Sequence, residues 1–165
     1  MSRLVVAVIG HRHRGDDAAG PLVGDALRGC GEGIRVVEMG PNPLGLLDSW
    51  GPDDDVILVD AVRSGAAPGT VHHFAADAPD LVPEPPRSST HGFGLATVLH
   101  LARVIGNVPA HLEIVGIEGE SFAVGGPVHP AVRRAATDVA AAIARQHDVP
   151  VMAAGGAVGA GPRAD

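Results

Sequence analysis

Two aspartates and one histidine stand where the edge of a sheet could bring them together. Asp17 follows the first apolar run of the chain, Asp60 lies near the end of the third, and His91 opens a later helical segment. In a doubly wound parallel sheet, these places meet at the crevice beyond the carboxyl ends of the strands. Two carboxylates and an imidazole suit a divalent metal ion better than a phosphate group. We therefore predict a pocket lined by these three side chains.

The loop that precedes Asp17 has the strand, glycine-bounded turn and helix start of a phosphate-binding loop. It runs from Gly10 to Gly15 and continues with Asp16 and Asp17, where a phosphate loop has lysine and then serine or threonine. Two carboxylates satisfy the positive end of the helix dipole and repel a phosphate, so nucleotide binding is disfavoured. Either aspartate could instead cap the helix, which would leave the other for the crevice.

Asp60 and His91 are the remaining members of the predicted site. A carboxylate at the end of a buried strand is costly unless it is paired, hydrogen-bonded or metal-bound, which favours a functional role for Asp60. His91 lies between a long loop and a helix, where its side chain can be aimed into a cleft. His11 and His13 border the same crevice, but with the arginines that alternate with them they could equally form a solvated basic loop. We expect structural or solvated roles for the other histidines, His72, His73, His100, His111, His129 and His147.

Composition limits the class of protein. The chain has 165 residues, 45% of them hydrophobic, which indicates one domain, residues 1–150, followed by a Gly/Ala-rich tail, residues 151–165, that we expect to be disordered. Apolar runs such as Leu4–Ile9 are far shorter than the roughly 20 residues of a spanning helix, and no signal-type segment opens the chain. A single cysteine, Cys30, fits a reducing compartment. We therefore expect a cytoplasmic protein that does not bind a membrane.

The charge balance also argues against a nucleic-acid partner. The formal net charge of -7 disfavours nonspecific attraction to nucleic acid or anionic lipid. Aromatic residues make up 2% of the chain, so platforms for stacking nucleobases are nearly absent. A serine hydrolase is disfavoured because the chain lacks a Gly-x-Ser-x-Gly elbow, and a cysteine hydrolase because Cys30 is predicted to lie far from His91.

Strands and helices alternate along the chain, which predicts an α/β fold. The second strand is expected outside the first, with the first and third as neighbours. The link after the third strand is too short for a parallel crossover, so the fourth strand should run antiparallel. A loop of residues 77–90 is long enough to be functional. The predicted strands are Leu4–Ile9, Ile34–Glu38, Asp55–Val62, Thr70–Ala75 and Leu112–Ile117, and the predicted helices are Asp17–Leu27, Leu44–Trp50, Gly94–Ile105 and Pro130–Gln146.

Six short blocks follow one another over most of Leu4–Ile143. Their order and spacing resemble the successive motifs of the [NiFe]-hydrogenase maturation endopeptidases. The blocks are Val8–Gly20 (VIGHRHRGDDAAG), Ile57–Val62 (ILVDAV), Ala67–Thr70 (APGT), Ser89–Leu95 (STHGFGL), Val115–Glu118 (VGIE) and His129–Pro130 (HP).

The resemblance implies a fold and an activity. The fold would be three-layer α/β/α of the phosphorylase/hydrolase type, with a five-stranded mixed sheet of order 2-1-3-5-4 whose fourth strand is antiparallel. The activity would be removal of a C-terminal extension from a [NiFe]-hydrogenase large-subunit precursor after nickel insertion. Nickel would be carried by that precursor and not held permanently. By the same resemblance Asp17, Asp60 and His91 would contact nickel and form the catalytic site.

Two departures from the family pattern concern substrate specificity. His11 stands where the family usually has asparagine, and Met39–Leu44 replaces a Gly-rich turn that contains threonine. Two other functions stay open at this point: a noncatalytic nickel-dependent assembly factor, and a metal-dependent hydrolase of small amides on the same fold.

Overall fold

The computed structural model describes residues 2–39, 42–76 and 92–148. Five strands form one mixed sheet of order β2-β1-β3-β5-β4. All neighbours are parallel except β4 and β5, which are antiparallel, so the predicted fold class and the reversed fourth strand are confirmed. The strands are β1 (Leu4–Val8), β2 (Ile34–Glu38), β3 (Asp55–Val62), β4 (Val71–Ala76) and β5 (His111–Glu118).

Helices cover both faces of the sheet. They are α1 (Ala19–Arg28), α2 (Gly92–Ile105) and α3 (Pro130–Gln146), with 3₁₀ helices at Gly15–Ala18 and Pro43–Asp48. On one face α1 and α3 pack side by side, and on the other α2 packs with the second 3₁₀ helix. The first helix was predicted from Asp17, but the chain first makes a 3₁₀ turn, and α1 begins two residues later.

Alternate residues of each strand sort into two cores. In β3, Ile57 and Val59 join the core under α1 and α3, whereas Val56 and Leu58 join the core under α2. Because side chains alternate along a strand, Asp60 falls on the α2 face. Asp60 thus occupies the next position of a row whose earlier members, Val56 and Leu58, are apolar.

The start of α1 lies against the backbone at the end of the sheet. A methyl group at Gly20 would lie 2.3 Å from the carbonyl oxygen of Ile9 and 2.9 Å from that of Val59. Backbone atoms so close cannot move aside, so only glycine permits this approach. The helix start is thereby seated over the gap between β1 and β3, which brings Asp17 to the same edge as Asp60.

Some predictions fall on residues that the structure does not describe. These are the loop of residues 77–90 with His91, and the tail of residues 151–165. Within the described ranges, no helix has both the length and the apolar character needed to cross a membrane.

Candidate active site

Asp17 holds the loop after β1 through a hydrogen bond to the backbone of that loop. It lies in the 3₁₀ helix after β1 and is 3% exposed. Its Oδ2 accepts a hydrogen bond from the backbone N–H of His11 at 2.9 Å. Gly10 has φ +141° and passes so close to the carbonyl of Asp17 that a side chain there would collide with it. The carboxylate is therefore fixed beside the carboxyl end of β1.

Asp60 lies on the neighbouring strand at the same end of the sheet. It is 2% exposed and stands two residues before the end of β3. The backbone N–H of Ile9 donates to the carbonyl of Val59, the residue before Asp60, at 2.9 Å. Asp60 therefore follows the point where β1 leaves the sheet. The structure thus brings both predicted aspartates to the carboxyl ends of adjacent parallel strands.

His91, the third predicted member, lies outside the described residues. Helix α2 begins at the next residue, Gly92, and packs on the face toward which Asp60 points. Among the side chains of the described ranges, no three of His, Cys, Asp and Glu come together as a metal-binding group.

Asp16 performs a different task from its neighbour. It is 1% exposed, and its carboxylate accepts the backbone N–H groups of Glu120, Ser121 and His129 at 2.8, 3.1 and 2.7 Å. The N–H of Asp16 donates in return to the carbonyl of Ser121 at 2.9 Å. Neither Asp16 nor Asp17 caps a helix through its side chain, because the 3₁₀ helix Gly15–Ala18 and α1 both begin without a hydrogen bond from a capping side chain. Asp16 instead ties the loop after β1 to the loop after β5.

The basic part of the first loop is held by ion pairs. The Arg12 guanidinium donates to Asp25 at 2.6 and 2.8 Å and to Glu38 at 2.8 Å, and Arg28 joins the same group. The hydrogen bond from Arg12 lowers the pKa of the Asp25 carboxyl group. His13 is exposed, as expected for a solvated loop. These pairs anchor the loop to α1 and β2 but are too exposed to contribute much stability.

Glu118 is a buried acid to which the sequence assigned no role. It ends β5 and is 1% exposed. Its carboxylate accepts the N–H and the hydroxyl of Ser64 at 2.7 and 2.8 Å, the N–H of Gly65 at 3.0 Å and Nε2 of His72 at 3.2 Å. Burial raises the pKa of Glu118, but the hydrogen bonds, with those from Ser64 foremost, outweigh burial and lower it. The signal that could have found Glu118 is the one used for Asp60, an acid at the end of a buried strand.

The fold and the site together define a three-layer α/β/α protein with two buried aspartates, Asp17 and Asp60, at the carboxyl edge of its sheet. Residues 28–146 match the family model HycI, hydrogenase maturation protease. The chain therefore belongs to the hydrogenase maturation protease family.

Known proteins similar to this chain agree with that membership. The hydrogenase maturating endopeptidase HybD from E. coli superposes with a TM-score of 0.72 at 27% identity, covering 90% of this chain and 95% of that one. The hydrogenase expression/formation protein HupD of Thiocapsa roseopersicina is 26% identical over 138 residues, 81% of this chain and 62% of HupD. HoxM of Azotobacter vinelandii is 31% identical over 103 residues, 62% of this chain and 50% of HoxM. The chain thus spans between half and 62% of the lengths of these two curated relatives.

Replacing Asp16 tests whether its carboxylate holds the two loops. We expect Asp16→Asn to lower the free energy of unfolding by about 2 kcal/mol, because an amide offers one oxygen to three buried N–H donors and adds donors of its own. Urea denaturation followed by circular dichroism measures the loss. Asp138→Asn, on the exposed side of α3, is the control and should change stability by less than about 0.5 kcal/mol. Equal stability of the two variants would show that Asp16 does not fasten the loops.

Glu118 should make the stability of the fold depend on pH. Its pKa is lowered from an ordinary value of 4.5, so the ionised carboxylate stabilises the folded state above pH 4.5. That contribution is lost as pH falls through the folded-state pKa. The difference in unfolding free energy between the wild-type protein and Glu118→Gln should therefore be largest near neutral pH and shrink below pH 4.5. Denaturation curves at several pH values measure it, and a difference that does not change with pH would contradict the assignment.

Proposed function

We propose that this protein is an endopeptidase that removes the C-terminal extension of a [NiFe]-hydrogenase large-subunit precursor after nickel has been inserted. The observation that carries the proposal is the pair of buried acids, Asp17 and Asp60, at the carboxyl ends of adjacent strands in a chain that belongs to the maturation protease family. The resemblance of the whole sequence to this class of endopeptidases supports the same substrate.

In this proposal Asp17, Asp60 and His91 contact the nickel that the precursor carries. Nickel accepts carboxylate and imidazole ligands, and three protein ligands leave coordination positions for thiolates of the precursor and for water. A divalent cation also compensates the negative charge of two carboxylates that are 3% and 2% exposed. Nickel is cargo of the substrate here, and the protease releases it with the processed subunit.

The same acids provide a way to distinguish loaded from empty precursor. Without nickel, a precursor offers no cation to the carboxylates. With nickel, the acids draw the precursor's metal-binding region to the carboxyl edge of the sheet and so position the scissile bond. A carboxylate of this pair can take the proton of the attacking water, which is the general-base role open to an aspartate.

Conservative replacements test the assigned residues. We expect Asp60→Asn and His91→Gln to abolish processing of a nickel-loaded precursor while leaving the fold intact, because each removes a nickel contact with little change in shape. Intact mass spectrometry of the precursor measures the loss of its C-terminal peptide, and circular dichroism checks the fold. Asp138→Asn is the control and should process normally.

Cleavage retained by either variant would contradict the site. If the wild-type protein bound the loaded precursor and no mass were lost, an assembly factor without catalytic activity would replace the endopeptidase. A tightly held metal in the protein purified alone would favour a metal-dependent amide hydrolase.

A further inference from the structure

A second acid–imidazole pair lies at the same end of the sheet as the predicted site. His72 of edge strand β4 and Glu118 of β5 are diagonal neighbours, with Nε2 of His72 3.2 Å from Oε2 of Glu118. The Glu118 side chain is 1% exposed and the His72 side chain 28%. A deeply buried carboxylate thus holds a ring that still reaches the surface.

The contact fixes which ring nitrogen carries the proton in the neutral ring. The Glu118 carboxylate, with its lowered pKa, can only accept hydrogen bonds, so Nε2 of His72 must carry the proton that it donates. Three donors from Ser64 and Gly65 hold the carboxylate in place from the other side. In the neutral ring Nδ1 is then an acceptor. Within the described residues, the His72 ring makes no side-chain hydrogen bond other than the one to Glu118.

His72 shares a face and a row of the sheet with Asp60. Asp60 is opposite Gly116 on β5, and Gly116 is opposite His72 on β4. The core residues of these strands place all three positions on the α2 side. Two strand spacings separate Asp60 from His72, about 10 Å, which is the length of about three residues of extended chain.

The position between the two residues has an apolar floor. Gly116 contributes no side chain, and the γ-methyl groups of Val62 lie 2.8 and 3.2 Å from where its Cβ would be. Neither Gly116 nor Val62 offers a polar side-chain group between the acid and the ring. Along this row from Asp60 toward the β4 edge, the imidazole of His72 is therefore the next polar side-chain group.

We infer that His72, oriented by Glu118, is a substrate-binding residue whose Nδ1 accepts a hydrogen bond from a backbone N–H of the precursor polypeptide, on the β4 side of Asp60. The inference rests on the proposed function and adds to it a residue that selects how the bound chain lies. His73 offers an internal comparison, because it makes the same kind of pair with Glu113 at 2.7 Å on the opposite face of the sheet.

Two replacements separate the Nδ1 role from the structural contact. His72→Gln keeps an amide N–H in reach of Glu118 and loses the acceptor at Nδ1, whereas His72→Asn keeps an acceptor near Nδ1 and loses the contact with Glu118. We expect His72→Gln to raise KM for nickel-loaded precursor about five- to tenfold at nearly unchanged kcat, as the loss of one hydrogen bond made equally to bound substrate and transition state does. His72→Asn should be less stable than His72→Gln and yet have a KM nearer to wild type. His73→Gln should leave KM unchanged.

Each outcome decides the inference. KM for His72→Gln equal to that of the active wild-type protein, or KM values that simply follow the melting temperatures of the variants, would overturn it and leave the proposed function standing. If the wild-type protein binds loaded precursor without cleaving it, the Kd values of the variants for that precursor replace their KM values. The same ratios to the wild-type value are then expected. If the wild-type protein neither binds nor cleaves the loaded precursor, both the proposed function and this inference fail.

Discussion

The site depends on the hydrogen bonds that three backbone N–H groups donate to the Asp16 carboxylate. The donors belong to the segment between β5 and α3, whereas the acceptor lies just after β1, more than 100 residues earlier. This constraint joins two loops that border the same end of the sheet. It also fixes the 3₁₀ turn in which Asp17 lies, so the position of Asp17 at this edge of the sheet is set by the acid before it.

Among the described residues, four buried carboxylates lie at the carboxyl edge, and their surroundings differ. Asp16 and Glu118 accept three and four hydrogen bonds from the loops around them, which explains how they are buried as charges. Asp17 and Asp60 stand at the ends of adjacent strands. In our account the first two build the edge, and the last two meet the substrate's nickel.

The elements that periodicity and composition define were predicted well. The strand Asp55–Val62 and the helix that starts at Pro130 have the predicted bounds, because a long apolar run and a proline at a helix start are local signals. The antiparallel β4 followed from the length of its connection alone. The start of the first helix was less well predicted, because Asp16 is drawn into contacts with residues 120–129 that no local pattern contains.

In the candidate site, too, some features follow from the sequence and others depend on long-range contacts. The placement of Asp17 and Asp60 at one edge of the sheet could be predicted from their positions after strands, since topology brings the ends of parallel strands together. The pairing of Glu118 with His72 could not, because β4 and β5 are separated by residues 77–110, which include α2, and no local pattern specifies the register of the two strands. Long-range hydrogen bonds of buried acids are therefore the part of this site that sequence reasoning misses.

Processing of a [NiFe]-hydrogenase large-subunit precursor, nickel-loaded or nickel-free, by the purified protein tests the central claim most directly. Intact mass spectrometry reports whether a C-terminal peptide is lost. Our account predicts loss of that peptide from the loaded precursor alone. Equal cleavage of both forms would contradict the role of nickel in recognition, and cleavage of neither form would contradict the proposed endopeptidase activity.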